Sequence, residues 1–395
     1  MKLPNIINKI LSVINRTNTP APPPLPTPSY TPLPSVLFNT GEQASQSVTS
    51  NNYNNINKND LYLNKLLRDA TPSAQGLYPH EILMLTYAFT YKTANNNFKQ
   101  YWKYKYFVDE PQKILDSLYE RGFIEKGPIR LTIQKLTVNE LKNELRSINA
   151  KVTGKKAELI DRLLENADAE QLNRKFPDRY YVLTEKGERE IAENKYIEYA
   201  HHKDYITIWE LNYLLNNNNP RNLGYRDIIW GYLNQNALNQ LKTKDYGEYY
   251  STKLAMYRFL LEEDKYDTAF FTLCEIIAYN LSTLHTNQPN ILDDKFSLEL
   301  ALEYDFPYDK HSSLVIPPGN VSSLANLIDK LNLSKQELEE LLYKNFKLIN
   351  LPKRIFTIEE CVEIVICELE ENTDKLNEIY NRAEKMLRQR LRQLG

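Results

Sequence analysis

The chain has 395 residues, of which only 11 are glycine, 20 are proline and 28 are tyrosine; average usage near 7% would give about 28 glycines. Glycine supplies the positive φ and close backbone approach that phosphate-cradling loops and tight β turns need. The shortage therefore argues against a nucleotide-binding α/β enzyme and against a turn-rich β-sandwich or propeller, and points to helices with short connections. Charge is balanced, 49 basic to 51 acidic residues for a net of −2, which excludes a globally basic nucleic-acid coat and leaves room for a local basic patch.

In chain order, residues 1–16 read as a short amphipathic helix with Ile6, Ile7, Ile10, Leu11 and Ile14 on one side. The proline cluster from Pro20 to Pro34 cannot be helical and favours extended polyproline II. With the Ser-, Asn- and Thr-rich stretch that follows, it reads as a disordered tether over about 17–70, either a plain spacer or a partner-binding proline motif. A helix is expected from His80, with Ile82, Leu83, Leu85 and Thr86 beginning one face. A second is expected over Pro111–Arg121, with Ile114, Leu115, Leu118 and Tyr119 at helical spacing and Gly122 as its left-handed cap. Strands are expected at Ile129–Ile133 and Tyr180–Leu183, the latter leading into Thr184 as N-cap of a helix Glu185–Asn194.

The C-terminal half reads as helical. Tyr249–Glu263 and Tyr266–Leu281 form an antiparallel pair across Asp264-Lys265, with Ala255, Phe259, Ala269 and Leu273 as the side chains that interlock. Ser334-x-x-Glu337 and Thr357-x-x-Glu360 have the capping-box spacing. The last helix carries Leu376, Ile379, Ala383, Met386, Leu387 and Leu391 on one stripe and Arg382, Lys385, Arg388 and Arg392 on the other face.

The most informative stretch runs from Leu136 to Leu164. It opens with Leu136-Thr137-Val138-Asn139-Glu140-Leu141-Lys142, where Thr137 and Glu140 make a capping box and Val138, Leu141, Leu145 and Ile148 face one way. After a turn at Asn149-Ala150, Thr153 is expected to cap a helix bearing Ala157, Leu159, Ile160, Leu163 and Leu164. Two such short helices share a small core and need support from their surroundings. The opening, the Gly154-Lys155-Lys156 start of the second helix and the run Glu158-Leu159-Ile160-Asp161-Arg162-Leu163 resemble the SAP domain, a helix–turn–helix-like DNA-binding module. Members of that family usually carry Gly-Leu at the turn; Asn149 tolerates the left-handed conformation there, whereas Ala150 fills less core.

The resemblance implies that the second helix presents its N-terminus to DNA phosphate, through Thr153, Gly154, Lys155 and Lys156, with Lys142, Lys151 and Arg162 extending the patch. Helix-start amides and the helix dipole attract anions, so the physics agrees. Residues 136–166 hold six bases (Lys142, Arg146, Lys151, Lys155, Lys156, Arg162) and five acids (Glu140, Glu144, Glu158, Asp161, Glu165), a net of +1. Weak, salt-sensitive binding of low sequence specificity follows.

A second resemblance brackets the first. Leu118-Tyr-Glu-Arg-Gly-Phe-Ile124 and Tyr181-Val-Leu-Thr-Glu-Lys-Gly187 look like the end of a winged helix–turn–helix, with the SAP-like unit inserted in the wing. The corresponding recognition helix exposes Gln112, Lys113, Asp116, Ser117 and Glu120, a face that is not basic. Upstream, Lys99, Lys103 and Lys105 alternate with Tyr101, Trp102, Tyr104, Tyr106 and Phe107, either a stacking platform for single strands or an element anchored by buried rings.

No catalytic constellation emerges. Gly154-Lys155 lacks the rest of a P-loop, no Gly-x-Ser-x-Gly occurs, and His201-His202 beside Asp204 has no further ligand at metal spacing. Asp293-Asp294 and Glu359-Glu360 read as solvated pairs. No cofactor or metal is expected. Cys274, Cys361 and Cys367 are too scattered for a disulfide framework, which implies a reducing, cytoplasmic setting. No stretch reaches the roughly 18 apolar residues of a membrane span, and Ile6–Ile14 lacks a cleavage site, so neither membrane association nor a signal peptide is expected.

The expectation is thus a mainly α protein in four parts. These are a helix and linker over 1–70, a winged-helix-like domain over 78–200 with the SAP insertion at 136–166, a TPR-like helical hairpin domain over 205–290, and a helical region over 320–395. The overall resemblance is to SAP-containing proteins of Gram-positive bacteria and their phages, and it implies a non-enzymatic DNA-binding protein whose C-terminal helices self-associate or contact a protein partner. The alternative is an interaction scaffold in which the SAP-like unit only packs.

Overall fold

A computed structural model describes residues 58–286, 295–304, 306 and 314–394. The expected N-terminal helix, the proline cluster and Asp293-Asp294 lie outside the described residues. The described chain is mainly helical and divides into two units, residues 58–229 and residues 230–394.

The first unit opens with α1 (Lys58–Asp69), so the tether expected to reach residue 70 gives way to a helix earlier. In α2 (Pro79–Tyr87), Pro79 occupies the first turn, where a missing N–H costs nothing, and Glu81 accepts from the Tyr78 amide at 2.8 Å. Ile82, Leu83, Met84 and Leu85 are buried. A short helix α3 (Tyr101–Tyr104) precedes α4 (Pro111–Glu120), which packs on α2 and is tied to it by Arg121 and Glu81 at 2.8 Å. Gly122, at φ +73°, ends α4, and the Phe123 amide reaches back to the Leu118 carbonyl at 2.9 Å.

Strand β1 (Ile124–Lys126) follows, and then four helices intervene: α5 (Ile129–Gln134), α6 (Val138–Ser147), α7 (Lys156–Asn166) and α8 (Ala169–Lys175). Strand β2 (Tyr181–Leu183) then returns antiparallel to β1, with Ile124 opposite Leu183 and Lys126 opposite Tyr181. The strand expected at Ile129–Ile133 is α5 instead. Its Ile-x-Leu-x-Ile alternation fits both periods, but Pro128 stops the strand and starts the helix, and adjacent Thr132 and Ile133 are both buried, which no half-buried strand allows.

After β2, Thr184 caps α9 (Glu185–Glu193) by accepting from the Gly187 amide at 3.2 Å, as expected. A Cβ on Gly187 would lie 2.2 Å from the Phe123 carbonyl oxygen, so only glycine lets α9 start this close to the end of α4. Helices α10 (Lys195–Lys203) and α11 (Ile208–Asn217) pack against each other and both against α2. Buried Asn212 on α11 holds Thr71 through both of its backbone groups, at 2.8 and 3.0 Å.

The division between units falls within α12 (Tyr225–Thr243). Beyond it, α13 (Tyr246–Glu262) and α14 (Tyr266–Asn280) make the expected hairpin, with Asp264 left-handed at φ 53° in the turn. Phe259, Ala269 and Leu273 are buried, while Ala255 is half-buried. Then come α15 (Lys295–Tyr304), α16 (Pro318–Leu331), α17 (Lys335–Leu348), α18 (Ile358–Glu370) and α19 (Thr373–Leu394).

Ser334 with Glu337 and Thr357 with Glu360 form the two expected capping boxes. Met386 departs from the expected stripe of α19, being 47% exposed. Leu273, Leu324, Leu342, Ile364 and Tyr380 belong to one hydrophobic core. The members of this core run from Tyr257 to Leu387, and residues 205–229 fall with the first unit. Cys274, Cys361 and Cys367 are all buried, and burial pushes the Cys274 and Cys361 thiols up to about 12, which keeps them protonated and inert.

Candidate nucleic-acid interface

The excursion between β1 and β2 has its own core. Ile133 of α5, Leu141 and Leu145 of α6, Leu159, Ile160 and Leu163 of α7, and Leu172 of α8 are buried together. Leu136, Ile148, Ala150, Val152 and Leu164 pack around them. The support that two short helices require therefore comes from their immediate neighbours, α5 and α8. Arg130 on α5 pairs with Asp161 on α7 at 2.5 Å, and Lys175 on α8 with Glu144 on α6 at 2.6 Å. Val138 and Ala157, expected on the inner face, are exposed.

The Thr137–Glu140 capping box is present: the Glu140 amide donates to Thr137 Oγ1 at 3.2 Å and the Thr137 amide to Glu140 Oε2 at 2.6 Å. The Thr137 amide and hydroxyl, with a smaller contribution from the charge of Lys156, hold the Glu140 carboxyl below the usual carboxylate range. Asn149 takes φ 56° at the turn, the left-handed conformation its side chain tolerates.

The start of α7 differs from expectation. Thr153 does not cap it: Gly154 swings the chain at φ +132°, and the N-cap position falls on extended Lys155, whose side chain makes no cap hydrogen bond. The first-turn amides of α7 thus meet no side-chain cap. Such a helix start keeps its donors and its dipole available to an anion. Lys151, Lys155 and Lys156 are exposed and Lys142 is half-buried. None of these four ammonium groups makes a hydrogen bond or ion pair among the described residues.

Two residues qualify the site. Arg162 Nη1 donates to the Lys151 and Thr153 carbonyls at 2.8 and 2.9 Å, so this guanidinium braces the turn that carries Lys151. Glu158 Oε2 lies so close to Gly154 that a Cβ there would meet it at 2.4 Å. The Glu158 carboxylate therefore folds over the same turn that would receive a phosphate. Motif spacing gave no sign of either contact, because both depend on how the turn closes.

A further cationic feature escaped the sequence. Tyr180, bridged to Lys92 just before β2, has the Lys92 ammonium 5.4 Å and the Lys135 ammonium 5.6 Å from its ring centroid. By contrast, α4 has a self-paired surface: Lys113 pairs with Glu110, and Gln112 Nε2 donates to Asp116 at 2.9 Å. His201 and His202 sit at the end of α10 among tyrosine rings. No group of three His, Cys, Asp or Glu side chains suited to a metal exists among the described residues, and no described helix is long and apolar enough to cross a membrane.

Comparison with known families matches residues 132–167 to the SAP domain. No curated protein and no solved structure matches the chain. The matched segment covers α6 and α7 with the end of α5, the elements that hold the unpaired lysines.

Proposed function

We propose that this is a non-enzymatic DNA-binding protein that engages the phosphate backbone through the start of α7. The observation that carries the reading is the SAP match over residues 132–167, together with the unpaired Lys151, Lys155 and Lys156 beside an uncapped helix start. Lys142, Thr153 and Gly154 shape the same surface, with Arg162 holding the turn in place. The β1–β2 pair and the helices beside it serve as a winged-helix-like platform that carries the SAP unit, a reading supported by the strand register on either side of the excursion. Contacts made by lysines to phosphate carry no base identity, so sequence specificity is low.

The C-terminal unit supplies self-association or a protein contact in this proposal, the TPR-like hairpin α13–α14 being its most extensively packed helix pair. The chain acts in the cytoplasm in the same reading, among DNA-associated proteins of bacterial or phage type. Three lysine–phosphate contacts give a log–log salt slope of about −2.7, or roughly a 40-fold loss between 50 and 200 mM salt.

Reversing all three charges (Lys151→Glu, Lys155→Glu, Lys156→Glu) should abolish duplex binding at 50 mM salt, measured by fluorescence anisotropy. Unchanged affinity would leave the other reading, a scaffold in which the SAP unit only packs. The bracing role of Arg162 and the carboxylate over Gly154 are the observations on its side.

A further inference from the structure

The basic and aromatic stretch from Lys99 to Phe107 divides in the fold. Trp102 and Tyr106 are buried anchors, whereas Tyr101 and Lys99 line a cavity of about 490 Å³. Its other walls come from the end of α2, the turn after it and His201 of α10. Ligand pockets run from roughly 300 to 1,000 Å³, so the space suits a small, flat molecule.

Three properties of the lining narrow the ligand. Tyr87, Tyr91 and Tyr101 supply aromatic surface, with the His201 ring 5.0 Å from Tyr101 and 5.6 Å from Tyr87 between centroids. The wall is fixed from behind, because Trp102 Nε1 donates to the Tyr91 hydroxyl at 3.1 Å and the Tyr106 hydroxyl meets His201 Nδ1 at 2.5 Å. Burial first, then the nearby Lys105 charge, pushes His201 down to about 4, so the ring is neutral at physiological pH. The charged lining consists of Lys92 and Lys99 without a carboxylate, in a chain where acids outnumber bases by 51 to 49.

Amide groups complete the lining. Asn96 is committed to the backbone of Lys92, at 2.7 and 2.6 Å, and to Gln112 at 2.9 Å. The Asn97 amide makes no hydrogen bond among the described residues and is exposed. Asn95 Nδ2 donates to Asp178, outside the lining, at 2.8 Å, which leaves Asn97 as the amide open to a base edge. Aromatic faces for stacking, that amide and two lining cations are together the chemistry of a nucleotide.

We propose that this cavity takes one unpaired nucleobase, stacked on the tyrosine wall, with its phosphate at Lys99 and Lys92. The site thus recognises single-stranded nucleic acid, with residues distinct from those at the start of α7. Lys92 also stands over Tyr180 together with Lys135 of the α5 terminus, so positive charge continues from the cavity lining toward the SAP unit. A strand in the cavity would leave along that path.

The test uses the full chain, a mixed-sequence 12-nucleotide single-stranded DNA and a blunt 20-base-pair duplex, each followed by fluorescence anisotropy. Tyr101→Ala, by removing one stacked base, and Lys99→Glu, by reversing the charge that meets the phosphate, should each weaken single-strand binding about tenfold and leave duplex binding within twofold of the parent. Lys99 is exposed, so its reversal tests the site even if Tyr101→Ala destabilises the fold. A 5-iodouracil-bearing strand, irradiated and mapped by mass spectrometry, should cross-link within residues 87–101.

Parental single-strand affinity in Lys99→Glu, or cross-links confined elsewhere, would overturn the proposal. So would dAMP competing as well, per nucleotide, as the strand does, since that assigns the cavity to free nucleotides. The triple lysine reversal separates the two sites. Loss of duplex binding alone supports the α7 site, and loss of single-strand binding in the cavity variants supports this one.

Discussion

In residues 129–176, seven buried apolar side chains hold four helices together; Arg130 and Lys175 pair with acids, whereas Lys151, Lys155 and Lys156 make no ion pair among the described residues. Among the described residues of 230–394, thirty-five buried side chains share one core, and several cations close on acids. Lys253 meets Glu275 at 2.8 Å, Lys335 meets Glu370 at 2.6 Å, and Lys375 and Arg382 both reach Glu363. Exposed lysines without an ion pair add little to stability and stay available to an external anion. Paired charge over a large core is accounted for by the fold itself. In the proposed function DNA is met by the part of the molecule with the smaller core, as binding elements often are.

The sharpest way to break this contrast is through the small core. Leu159 is fully buried on α7, and Leu159→Ala should cost about 2–5 kcal/mol. Seven core residues leave little reserve, so the loss should melt the SAP unit locally. Hydrogen exchange read by mass spectrometry should show protection lost across 129–176 and kept in 230–394. Exchange rising in both regions would mean that the small core is not an independent element.

Acid offers a second separation. His80 is buried against Trp209, its ring 5.3 Å away, its Nδ1 has no partner among the described residues, and burial pushes it down to about 4. The unfolded histidine titrates near 6.5. Between those values the unfolded state binds the extra proton, so the His80 contribution falls as pH drops from 6.5 to 4 and is constant below it. The difference of roughly 2.5 pH units corresponds to about 3 kcal/mol at most. His80→Phe fits the same aromatic surroundings and should remove that share of the acid sensitivity. Denaturant midpoints at pH 7 and pH 4.5 measure it, and an equal drop in parent and variant would show that His80 is not the group responsible.

Much of the local structure was legible in the sequence because its rules are local. Thr137 with Glu140, Ser334 with Glu337 and Thr357 with Glu360 encode helix starts within four residues, and Gly122 encodes a stop. The SAP match was legible for a related reason: an ordered string of helix-surface and core residues leaves few alternatives. Where two rules overlapped, the sequence was ambiguous, as at Ile129–Ile133, which satisfies both strand and helix periods until Pro128 decides.

What depends on distance in the chain stayed hidden. The common core of residues 257–387 and the cavity that joins residues 87–101 to His201 have no local signature. Thr153 failed as a cap because the φ of Gly154, which no neighbouring residue reveals, moves the helix start two positions on.

That same turn gives the finest test of the contrast between paired and unpaired charge. Glu158 is the one carboxylate that folds over Gly154, and at the third position of α7 it favours the positive end of the helix dipole. A DNA phosphate arriving there meets a like charge, worth about 1 kcal/mol at 4 Å in water. Glu158→Gln removes that opposition and raises the net charge of 136–166 from +1 to +2. Duplex affinity at low salt should rise about fivefold, while the loss of the dipole contact lowers stability by roughly 0.3–1 kcal/mol. The two effects have opposite signs, so no general loosening of the unit mimics them. Anisotropy titration beside a denaturation curve reads both, and a variant that is less stable without binding DNA more tightly would place the phosphate elsewhere than the start of α7.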